Sequence, residues 1–503
     1  MSRLDSLTSW RADWSGLRVA VLGVGVTGFA AADTLVELGA NVRAFATASD
    51  DDRVTILGVL GVEVVLDPLN SVPEALVDFA PELIISSPGF HPDHPVLEWA
   101  GTNGIAVWGD IELAWRVRDK VSGAAEWLLI TGTNGKTTTT QLTAEFLAAS
   151  GKRVAPCGNI GVPVLDAVRD PAGFDVFVVE LSSYQLHSMP LDGPGAVVPW
   201  ATVCLNVADD HIDWHGSFEA YVAAKAKVYH NTKVACVYNR ADEATLRMVE
   251  DAEVIEGARA VSFGLDTPGR SDFGIVEGIL CDRAFLEERA NTALELATLD
   301  ELIEHDLAAP HIVQNILAAA ALARSLDVPA GDIHETLLGF ELDAHRIRTV
   351  ALVDGVRWVD DSKATNPHAA NASLRSFEHV VWVVGGLLKG VDLSMLVELH
   401  KTRMRAAIVI GLERDSVVEA FKRHAPDVPL VEIDSADPHN VMPQVVAKAA
   451  ELATSGDTVL LAPAAASMDQ FRDYADRGDQ FSQAVWDRVG GRDEHPSTEP
   501  DNA

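Results

Sequence analysis

A lysine followed by four threonines stands directly after a short apolar segment in Leu128–Thr140, LLITGTNGKTTTT. Gly135, Lys136 and Thr137 fit the second half of the phosphate-loop pattern G-x-x-x-x-G-K-[ST], whereas Ile130 takes the place of its first glycine. In that pattern backbone N–H groups surround the phosphates, the lysine reaches the terminal ones and the hydroxyl binds Mg²⁺. The alternative is an ordinary glycine turn with a surface lysine. A preceding apolar strand and a following helix, whose N-terminus attracts anions, favour a nucleoside triphosphate.

Side chains that could bind a metal follow the ends of two further predicted strands. Glu180 ends the apolar segment 175–179, and a carboxylate at a strand end near a phosphate loop is a natural Mg²⁺ ligand. His211 follows a predicted strand at 203–207, and the carboxyl ends of parallel strands are where open α/β sheets bind ligands. Taken alone, Glu180 could be a solvated strand end and His211 a structural histidine.

A second glycine-rich turn, GVGVTG at 23–28, lies near the N-terminus. It follows a predicted buried strand at 17–22 and opens a helix, as in a Rossmann-like unit. A dinucleotide site would place Asp or Glu at the end of the second strand, 42–45, but the chain continues there as Ala46 and Thr47. Binding of NAD is therefore disfavoured. The turn can hold the pyrophosphate of another nucleotide, or it can simply pack a helix closely on a strand.

These motifs fall into three blocks of alternating strands and helices, which predicts an α/β protein with three domains. We predict a Rossmann-like N-terminal domain at 1–121, a central phosphate-loop ATPase-type domain at 122–342 and a C-terminal Rossmann-like α/β domain at 343–491. Residues 492–503 are predicted to be a disordered tail. Other predicted strands end in polar or small-residue loops, and they lie at 83–85, 355–359, 380–384, 406–410 and 458–461.

Length and composition exclude several classes of protein. A chain of 503 residues with 48% hydrophobic content is expected to form two to four folded domains. No apolar run approaches the ~18 residues of a membrane span, and no signal pattern begins the chain, so a cytoplasmic protein without a membrane partner is expected. Four cysteines without C-x-x-C spacing predict reduced, buried thiols. With 74 acidic and 39 basic residues, the net charge of −35 disfavours binding to nucleic acid.

Taken together, motifs running from Gly23 to Gly478 resemble the Mur ligases, the ATP-dependent amide-forming enzymes of peptidoglycan precursor assembly. The similar segments are GTNGKTT, GNIGVP, ELSSYQL, YVAAKAKVY, HR at 345–346, DDSKATNP and ASMDQFRDYADRG. Within the family, DSKATN and SMDQF resemble the branch that adds D-glutamate rather than L-alanine, diaminopimelate or D-Ala-D-Ala. The resemblance implies that ATP phosphorylates the carboxylate of UDP-MurNAc-L-Ala, and that the amine of D-glutamate then attacks the acyl phosphate.

The resemblance also implies which residues carry the chemistry. Lys136 would neutralise the β- and γ-phosphate oxygens, and two Mg²⁺ ions are expected as cofactors besides the substrate ATP. The expected metal-binding residues are Thr137, Glu180, His211 and a carbamylated Lys225. Two Mg²⁺ ions would repel an ammonium group at that position, whereas a carbamate is an anionic bridging ligand. The catalytic set is therefore Lys136, Lys225, His211 and Glu180.

Substrate-binding residues are assigned by the same resemblance. For ATP they are Gly132, Thr133, Asn134, Gly135, Lys136, Thr137, Thr138, Asn315, Arg346, Asp361 and Lys363. For the UDP-substrate they are Val26, Thr27, Thr47, Ser87, Gly89, Asn159, Ser182 and Gln185. For D-glutamate they are Thr365, Lys389, Ser467, Met468 through its backbone, and Tyr474. Because Arg346 and Lys363 belong to the third domain or its hinge, ATP is expected between two domains that close. The protein is predicted to act as a monomer.

Three alternatives come from other classes. A nicotinamide-dependent oxidoreductase fused to an NTPase would bind NAD, which fluorescence can measure. A binding module could hydrolyse ATP slowly to switch between partners, but it would not need the metal-binding set above. A sibling ligase, for example of the folylpolyglutamate synthase type, would share the phosphate loop but not DSKATN.

Overall fold

The computed structural model describes residues 3–48, 51–435 and 437–489 of the chain. These residues divide into two compact units, one comprising those up to 299 together with 314–339, and the other comprising 300–313 and those from 340 onward. The predicted N-terminal domain and most of the predicted central domain fall within the first unit, whereas residues 300–313 and 340–342 of the predicted central domain fall within the second. The predicted boundaries after residues 121 and 342 stay predictions, and the predicted tail lies outside the described residues. All four cysteines are buried free thiols, which confirms that expectation.

The N-terminal sheet consists of five parallel strands. They are β1 (Arg18–Leu22), β2 (Asn41–Ala46), β3 (Glu63–Leu66), β4 (Leu83–Ser86) and β5 (Ala106–Trp108), in the spatial order β3-β2-β1-β4-β5. Its helices are α1 (Arg3–Ser6), α2 (Val26–Glu37), α3 (Asp51–Val59), α4 (Glu74–Phe79), α5 (Pro95–Thr102) and α6 (Asp110–Arg116). The strand order reverses between β1 and β4, and the carboxyl edge at such a point is where ligands bind in open α/β sheets.

The second sheet has nine strands. They are β6 (Glu126–Thr131), β7 (Val154–Gly158), β8 (Val176–Glu180), β9 (Ala201–Cys204), β10 (Ala235–Asn239), β11 (Arg259–Phe263), β12 (Asp272–Val276), β13 (Ile279–Asp282) and β14 (Leu294–Thr298). The spatial order is β14-β13-β12-β11-β10-β9-β6-β8-β7. Neighbours from β7 to β12 are parallel, whereas β13 pairs antiparallel with both β12 and β14.

Nine helices accompany this sheet in sequence within the described residues. They are α7 (Lys136–Ala149), α8 (Val164–Arg169), α9 (Ser183–Ser188), α10 (Ile212–His215), α11 (Phe218–Ala226), α12 (Glu243–Glu250), α13 (Leu299–Glu304), α14 (Pro310–Arg324) and α15 (Ala330–Gly339), with a 3-10 turn at Lys227–Tyr229. The hairpin of β12 and β13 turns at Glu277 and Gly278, with φ of +50° and +83°. Positive φ at both positions is what a two-residue hairpin turn of type I′ requires.

The third sheet has six strands. They are β15 (Arg348–Val353), β16 (Val356–Asp360), β17 (Val380–Gly385), β18 (Met404–Ile410), β19 (Leu430–Glu432) and β20 (Thr458–Leu461), in the order β15-β16-β20-β17-β18-β19. Only the pair of β15 and β16 is antiparallel among these described strands. The helices are α16 (Pro367–Arg375), α17 (Ser394–His400), α18 (Asp415–His424), α19 (Val441–Leu452) and α20 (Tyr474–Val489), with a 3-10 turn at Pro438–Asn440.

The predicted α/β class is confirmed, and most predicted strands lie within one or two residues of the observed ones. The strand expected at 203–207 is wrong in its bounds, because β9 ends at Cys204. The backbone beyond it bonds instead to the phosphate loop, where Asn206 accepts a hydrogen bond from the Thr133 N–H at 2.9 Å. Across the described residues, no helix combines the length and apolar character needed to cross a bilayer.

Candidate active site

The phosphate loop, residues 132–135, connects β6 to α7. Its backbone turns through Gly132 at φ +153° and Gly135 at φ +85°, conformations that glycine adopts readily. A Cβ added to Gly135 would lie 2.3 Å from Oδ1 of Asn315, so the loop packs directly against that side chain. The structure thus brings Asn315, which was assigned to the nucleotide from the sequence, to the loop.

Lys136 begins α7 and turns its ammonium group back over the loop. Nζ donates hydrogen bonds to the carbonyl oxygens of Gly132 and Thr133, both at 2.9 Å. Thr137 is half-buried, and Thr138 is buried beneath the loop. The backbone N–H groups at the start of α7 and the Lys136 charge therefore lie at one place, as binding of a polyphosphate requires.

Asn206 fixes the shape of the loop. Its side-chain Oδ1 accepts from the Asn134 N–H at 2.9 Å, and its Nδ2 donates to the Asn134 carbonyl at 3.0 Å. One side-chain amide thus satisfies both backbone polar groups of one loop residue, Asn134. Sequence reasoning missed Asn206, because it placed this residue inside the strand predicted at 203–207, whereas β9 ends at Cys204.

Glu180 lies at the same sheet edge as the phosphate loop, because β8 pairs with β6 in a register that sets Glu180 opposite Ile130. Its side chain is 2% exposed. Oε1 accepts from the Asn159 side-chain amide at 2.9 Å, whereas Oε2 is buried without a hydrogen-bond partner among the described groups. A buried, unpartnered carboxylate oxygen is costly, and a cation such as Mg²⁺ is the partner that suits it. The donor set therefore fits a metal ion.

His211 presents a neutral imidazole. Burial lowers its pKa, and the positive charges of Lys136 and Lys225 act in the same direction, whereas the neighbouring Asp210 carboxylate opposes them. Its Nδ1 shares a hydrogen bond of 2.8 Å with the hydroxyl of Tyr184, whose pKa burial raises to about 12. Because the phenol stays protonated and the imidazole is neutral, the ring is in the form that binds metals.

Lys225 on α11 is a buried lysine beside the phosphate loop, with a side chain that is 2% exposed. Nζ donates to the Gly132 carbonyl at 2.9 Å and to the Thr131 hydroxyl at 3.5 Å. It forms no ion pair with a carboxylate in the part of the chain that the structure describes. Burial, reinforced by the charge of Lys136, lowers the pKa of Lys225 to about 7. Much of the amine is therefore uncharged at neutral pH.

No three His, Cys, Asp or Glu side chains among the described residues form a ready-made metal cluster. The predicted metal-binding set contains only two such residues, Glu180 and His211. The other members, Thr137 and Lys225, contribute a hydroxyl and an amine. The predicted set is thus brought to one sheet edge, but it lacks a third anionic or imidazole ligand in the unmodified chain.

The residues assigned to the UDP-substrate lie partly at the carboxyl edge of the N-terminal sheet. Leu22 pairs in register with Ser86, so the turns after β1 and β4 leave the sheet together. A Cβ on Gly28 would lie 2.0 Å from the Gly23 carbonyl oxygen, which explains the need for glycine there. The Ser87 hydroxyl is buried without a hydrogen-bond partner among the described groups. Around this edge Val26 and Thr47 are exposed, as is Gly89, and Thr27 is half-buried.

Ser182 and Gln185 form a capping box at the start of α9. The Gln185 side-chain amide also donates to Asp110 at 2.9 Å, and both side chains are buried. Burial raises the pKa of Asp110. These contacts show that Ser182 and Gln185 stabilise the local structure. Their role in binding the UDP-substrate, like that of Asn159, stays a prediction.

In the other compact unit, the loop after β16 contains Asp361 and Lys363. Asp361 accepts from the Ile347 N–H at 3.2 Å and from the Ser373 hydroxyl, and burial raises its pKa to about 6. Nζ of Lys363 lies 3.7 Å from the centroid of the Tyr474 ring, a cation–π contact. The assignment of Asp361, Lys363 and Arg346 to the nucleotide stays a prediction.

Residues assigned to D-glutamate follow three neighbouring strands of the third sheet. Thr365 follows β16, Lys389 follows β17, and Ser467 follows β20 together with Met468. The Met468 side chain is 63% exposed, in keeping with a role for its backbone alone. Lys389 has φ of +53° and an exposed side chain.

His345 and Asp360 form a buried pair, with 2.6 Å between Nδ1 and Oδ2. The hydrogen bond to Asp360 raises the pKa of His345 above its ordinary value of 6.5. The charged pair therefore stabilises the fold fully below about pH 6.5 and loses this contribution as the pH rises through the raised pKa. We expect the midpoint of thermal unfolding to fall more between about pH 6 and pH 8 in the unmodified protein than in His345→Gln. Equal pH dependence of the two proteins would contradict this role.

Residues 130–323 match the Mur ligase middle domain, and residues 345–465 match the glutamate ligase domain of Mur ligases. Over 496 residues, which are 97% of this chain and 96% of the relative, the sequence is 63% identical to the UDP-N-acetylmuramoylalanine–D-glutamate ligase of Leifsonia xyli subsp. xyli. The chain therefore belongs to the Mur ligase family, the ATP-dependent amide-forming ligases of peptidoglycan synthesis. This confirms the family resemblance of the motifs.

Further relatives carry the same name. The chain is 48% identical over 489 residues to the UDP-N-acetylmuramoylalanine–D-glutamate ligase of Tropheryma whipplei (strain TW08/27), covering 97% of this chain and 99% of that protein. It is 50% identical over 477 residues to the enzyme of that name from Streptomyces avermitilis, and the match covers 94% of this chain and 98% of that protein.

Two solved structures share the fold at low sequence identity. A pseudomurein peptide ligase type C from Methanothermus fervidus matches with a TM-score of 0.56 at 18% identity, over 94% of this chain and 100% of that chain. The UDP-N-acetylmuramate–alanine ligase of Thermotoga maritima matches with a TM-score of 0.53 at 17% identity, over 94% of this chain and 99% of that chain. These structures support the Mur ligase architecture.

Proposed function

We propose that the chain joins D-glutamate to UDP-N-acetylmuramoyl-L-alanine with the consumption of ATP. The relatives named for this reaction match nearly the whole chain, which supports the choice of substrates. The observation that carries the chemistry is the convergence of Lys136, Glu180 and Lys225 at one edge of the nine-stranded sheet. A phosphate loop, an unpartnered carboxylate oxygen and a buried, partly uncharged lysine together suit phosphoryl transfer to a carboxylate.

The reaction has two steps. In the first, a carboxylate oxygen of the alanyl group attacks the γ-phosphorus of ATP, the bond from that phosphorus to the β–γ bridging oxygen breaks, and ADP leaves. In the second, the amine nitrogen of D-glutamate attacks the acyl carbon, loses a proton and expels phosphate to leave the amide. The first step brings several negative charges together, so positioning and cations govern its rate. At the phosphate loop, the positive charge of Lys136 would partly neutralise those negative charges.

The residues that would hold Mg²⁺ are Thr137, Glu180, His211 and a carbamylated Lys225. The unpartnered Oε2 of Glu180 and the neutral imidazole of His211 support this set. When bound, Mg²⁺ supplies charge neutralisation for phosphate and carboxylate oxygens. We propose two ions, one at the loop with Thr137 and one nearer the acceptor carboxylate.

Carbamylation of Lys225 needs an uncharged amine. The nitrogen lone pair attacks CO₂, an N–C bond forms, and a proton is released to solvent, which leaves an anionic carbamate. A pKa of about 7 provides the uncharged amine at neutral pH. The lack of a carboxylate partner for Lys225 among the described residues leaves no ion pair to be broken. The carbamate would supply the third ligand that Glu180 and His211 lack.

The remaining assignments follow the two other sheets. We assign the UDP part of the substrate to the turns after β1 and β4, where the strand order reverses, and D-glutamate to the loops after β16, β17 and β20. We keep the three domains at 1–121, 122–342 and 343–491, a monomeric enzyme and a cytoplasmic location as proposals. The location is supported by the chemistry, because ATP and nucleotide-linked sugars are intracellular substrates.

Phosphate release is the test of this function. We expect ATP turnover only when UDP-MurNAc-L-Ala and D-glutamate are both present, because the phosphate acceptor is the alanyl carboxylate and the amine must come from the D-amino acid. The controls are UDP-MurNAc without alanine, and L-glutamate, L-alanine, diaminopimelate or D-Ala-D-Ala in place of D-glutamate. Equal phosphate release with UDP-MurNAc or with L-glutamate would show that the substrate assignment is wrong.

A further inference from the structure

Arg477 is a buried cation that lies outside the residues assigned to substrates. It stands in the first turn of α20, and its side chain is 0% exposed. Burial lowers its pKa to about 10, so it stays charged at neutral pH. Among the described residues it forms no ion pair with a carboxylate. The carboxylates of Asp469 and Asp360 favour its charge from a distance. A buried guanidinium without a directly paired carboxylate is still costly, so a reason is needed for arginine at this position.

The guanidinium group joins two loops. Nε donates to the Ser362 hydroxyl at 2.9 Å and Nη2 donates to the Ser362 carbonyl at 2.8 Å, whereas Nη1 donates to the Ala465 carbonyl at 3.1 Å. Ser362 follows β16 and Ala465 follows β20, and these strands are parallel neighbours. Both loops therefore leave the sheet at its carboxyl edge, and one side chain sets the distance between them.

A third loop approaches the same group. Gly386 follows β17, the other parallel neighbour of β20. A Cβ on Gly386 would lie 3.4 Å from Nη1 of Arg477 and 2.4 Å from the Ala466 carbonyl oxygen. The guanidinium thus lies beneath the loops of three adjacent strands, at the edge where α/β sheets bind ligands.

We propose that Arg477 is a positioning residue for the amino-acid substrate. By holding the loops after β16 and β20 at a fixed separation, it places Thr365 and Ser467 to bind the two carboxylates and amine of an acidic amino acid. The identity of that amino acid as D-glutamate rests on the proposed function. Arginine is needed because its planar fork donates in several fixed directions, whereas lysine presents one nitrogen that reaches one loop.

Steady-state kinetics of Arg477→Lys test this role, because lysine keeps the charge and removes the bridge. We expect the KM for D-glutamate to rise by about tenfold or more, with the KM for UDP-MurNAc-L-Ala within about twofold of the unmodified value, since other residues bind that substrate. Ser362→Ala removes one of the three acceptors of Arg477, together with the hydrogen bond of 2.7 Å from the Ser362 hydroxyl to the Tyr474 carbonyl, and is expected to raise the KM for D-glutamate by about threefold. Arg488→Lys, an exposed position on the same helix, is the matched control and is expected to change neither constant.

A purely structural role predicts a different result, namely a lower unfolding temperature with an unchanged KM for D-glutamate in both Arg477→Lys and Ser362→Ala. That outcome would overturn the proposal. If Arg477→Lys does not fold, the KM of Ser362→Ala decides, and an unchanged value overturns the proposal as well. Absence of D-glutamate-dependent turnover in the unmodified protein would overturn the proposed function, and this inference with it.

Discussion

Replacing Lys225 with arginine is expected to abolish nearly all turnover, with kcat lower by about a thousandfold. The reason is that the proposed working group is a carbamate, which forms only on an uncharged amine. Arginine keeps its positive charge in proteins and cannot form one. The side chain occupies a buried place beside the phosphate loop, so the retained charge would also lie where Mg²⁺ is expected. Lys225→Ala is expected to be as inactive, because it lacks the anionic ligand altogether.

Rescue by small carboxylates distinguishes two reasons why Lys225 could be required, namely that it carries a carbamate or that the unmodified lysine itself is needed. High concentrations of formate or acetate are expected to restore part of the activity of Lys225→Ala, because either anion can stand in as a bridging ligand. The matched control is Lys233→Arg, where the lysine is half-exposed and pairs with Glu126 at 2.7 Å. Exchange within such an exposed pair is expected to leave kcat unchanged.

Full activity in Lys225→Arg would remove the carbamate from the mechanism. It would favour instead the ordinary alternative, in which the side chain at position 225 serves only as a positive charge that pairs with an acid such as Glu219. The structure disfavours that alternative, since Nζ contacts the Gly132 carbonyl, the Thr131 hydroxyl and the face of the Tyr221 ring, and no carboxylate of the described residues pairs with it.

Lys136→Ala is expected to lower kcat by about 10²- to 10³-fold, while the Kd of the UDP-substrate stays within about twofold of the unmodified value. The Lys136 ammonium group lies over the phosphate loop, where it would stabilise the negative charge that develops during phosphoryl transfer. The UDP-substrate is assigned to the N-terminal sheet, away from this charge. Steady-state phosphate release and calorimetric titration of UDP-MurNAc-L-Ala measure the two quantities.

Two further measurements keep this result interpretable. Removal of the Lys136 ammonium takes one hydrogen-bond donor away from each of the Gly132 and Thr133 carbonyls, so the unfolding temperature of the variant must be compared with that of the unmodified protein. Lys152→Ala, beyond the opposite end of α7, is the control for loss of a positive charge. An equal loss of UDP-substrate affinity in Lys136→Ala would show that the two nucleotide sites are assigned to the wrong sheets.

Much of the fold was predictable because local signals agree with one another. Buried apolar segments followed by glycine or polar residues indicated β1, β6 and β17 with nearly correct bounds. The phosphate loop and Glu180 could be placed at one edge because parallel strands expose their carboxyl ends together. For these elements, the local pattern of apolar and polar residues predicts the same arrangement as the geometry of the parallel sheet.

The rest depends on contacts between distant segments. Asn206 and Arg477 act through hydrogen bonds to residues about 70 and 115 positions away. A helix pattern around Lys225 cannot reveal that the amine is buried, because an isolated lysine normally reaches solvent. The extension formed by β12, β13 and β14 was also missed, since its short strands carry mixed polar and apolar residues. Such features follow from the packed structure and have no signal of their own in the sequence.

The outer end of the nine-stranded sheet also bears on aggregation. An open edge of unpaired N–H groups invites a strand from another copy of the chain, which is the first step toward intermolecular β-assembly. In β7, Gly158 donates its N–H to the Val162 carbonyl at 3.0 Å, so the chain folds back over its own edge. Pro156, two residues earlier, faces the same side and has no N–H to offer. The nine-stranded sheet thus offers fewer N–H donors at this end, which disfavours strand-to-strand growth there.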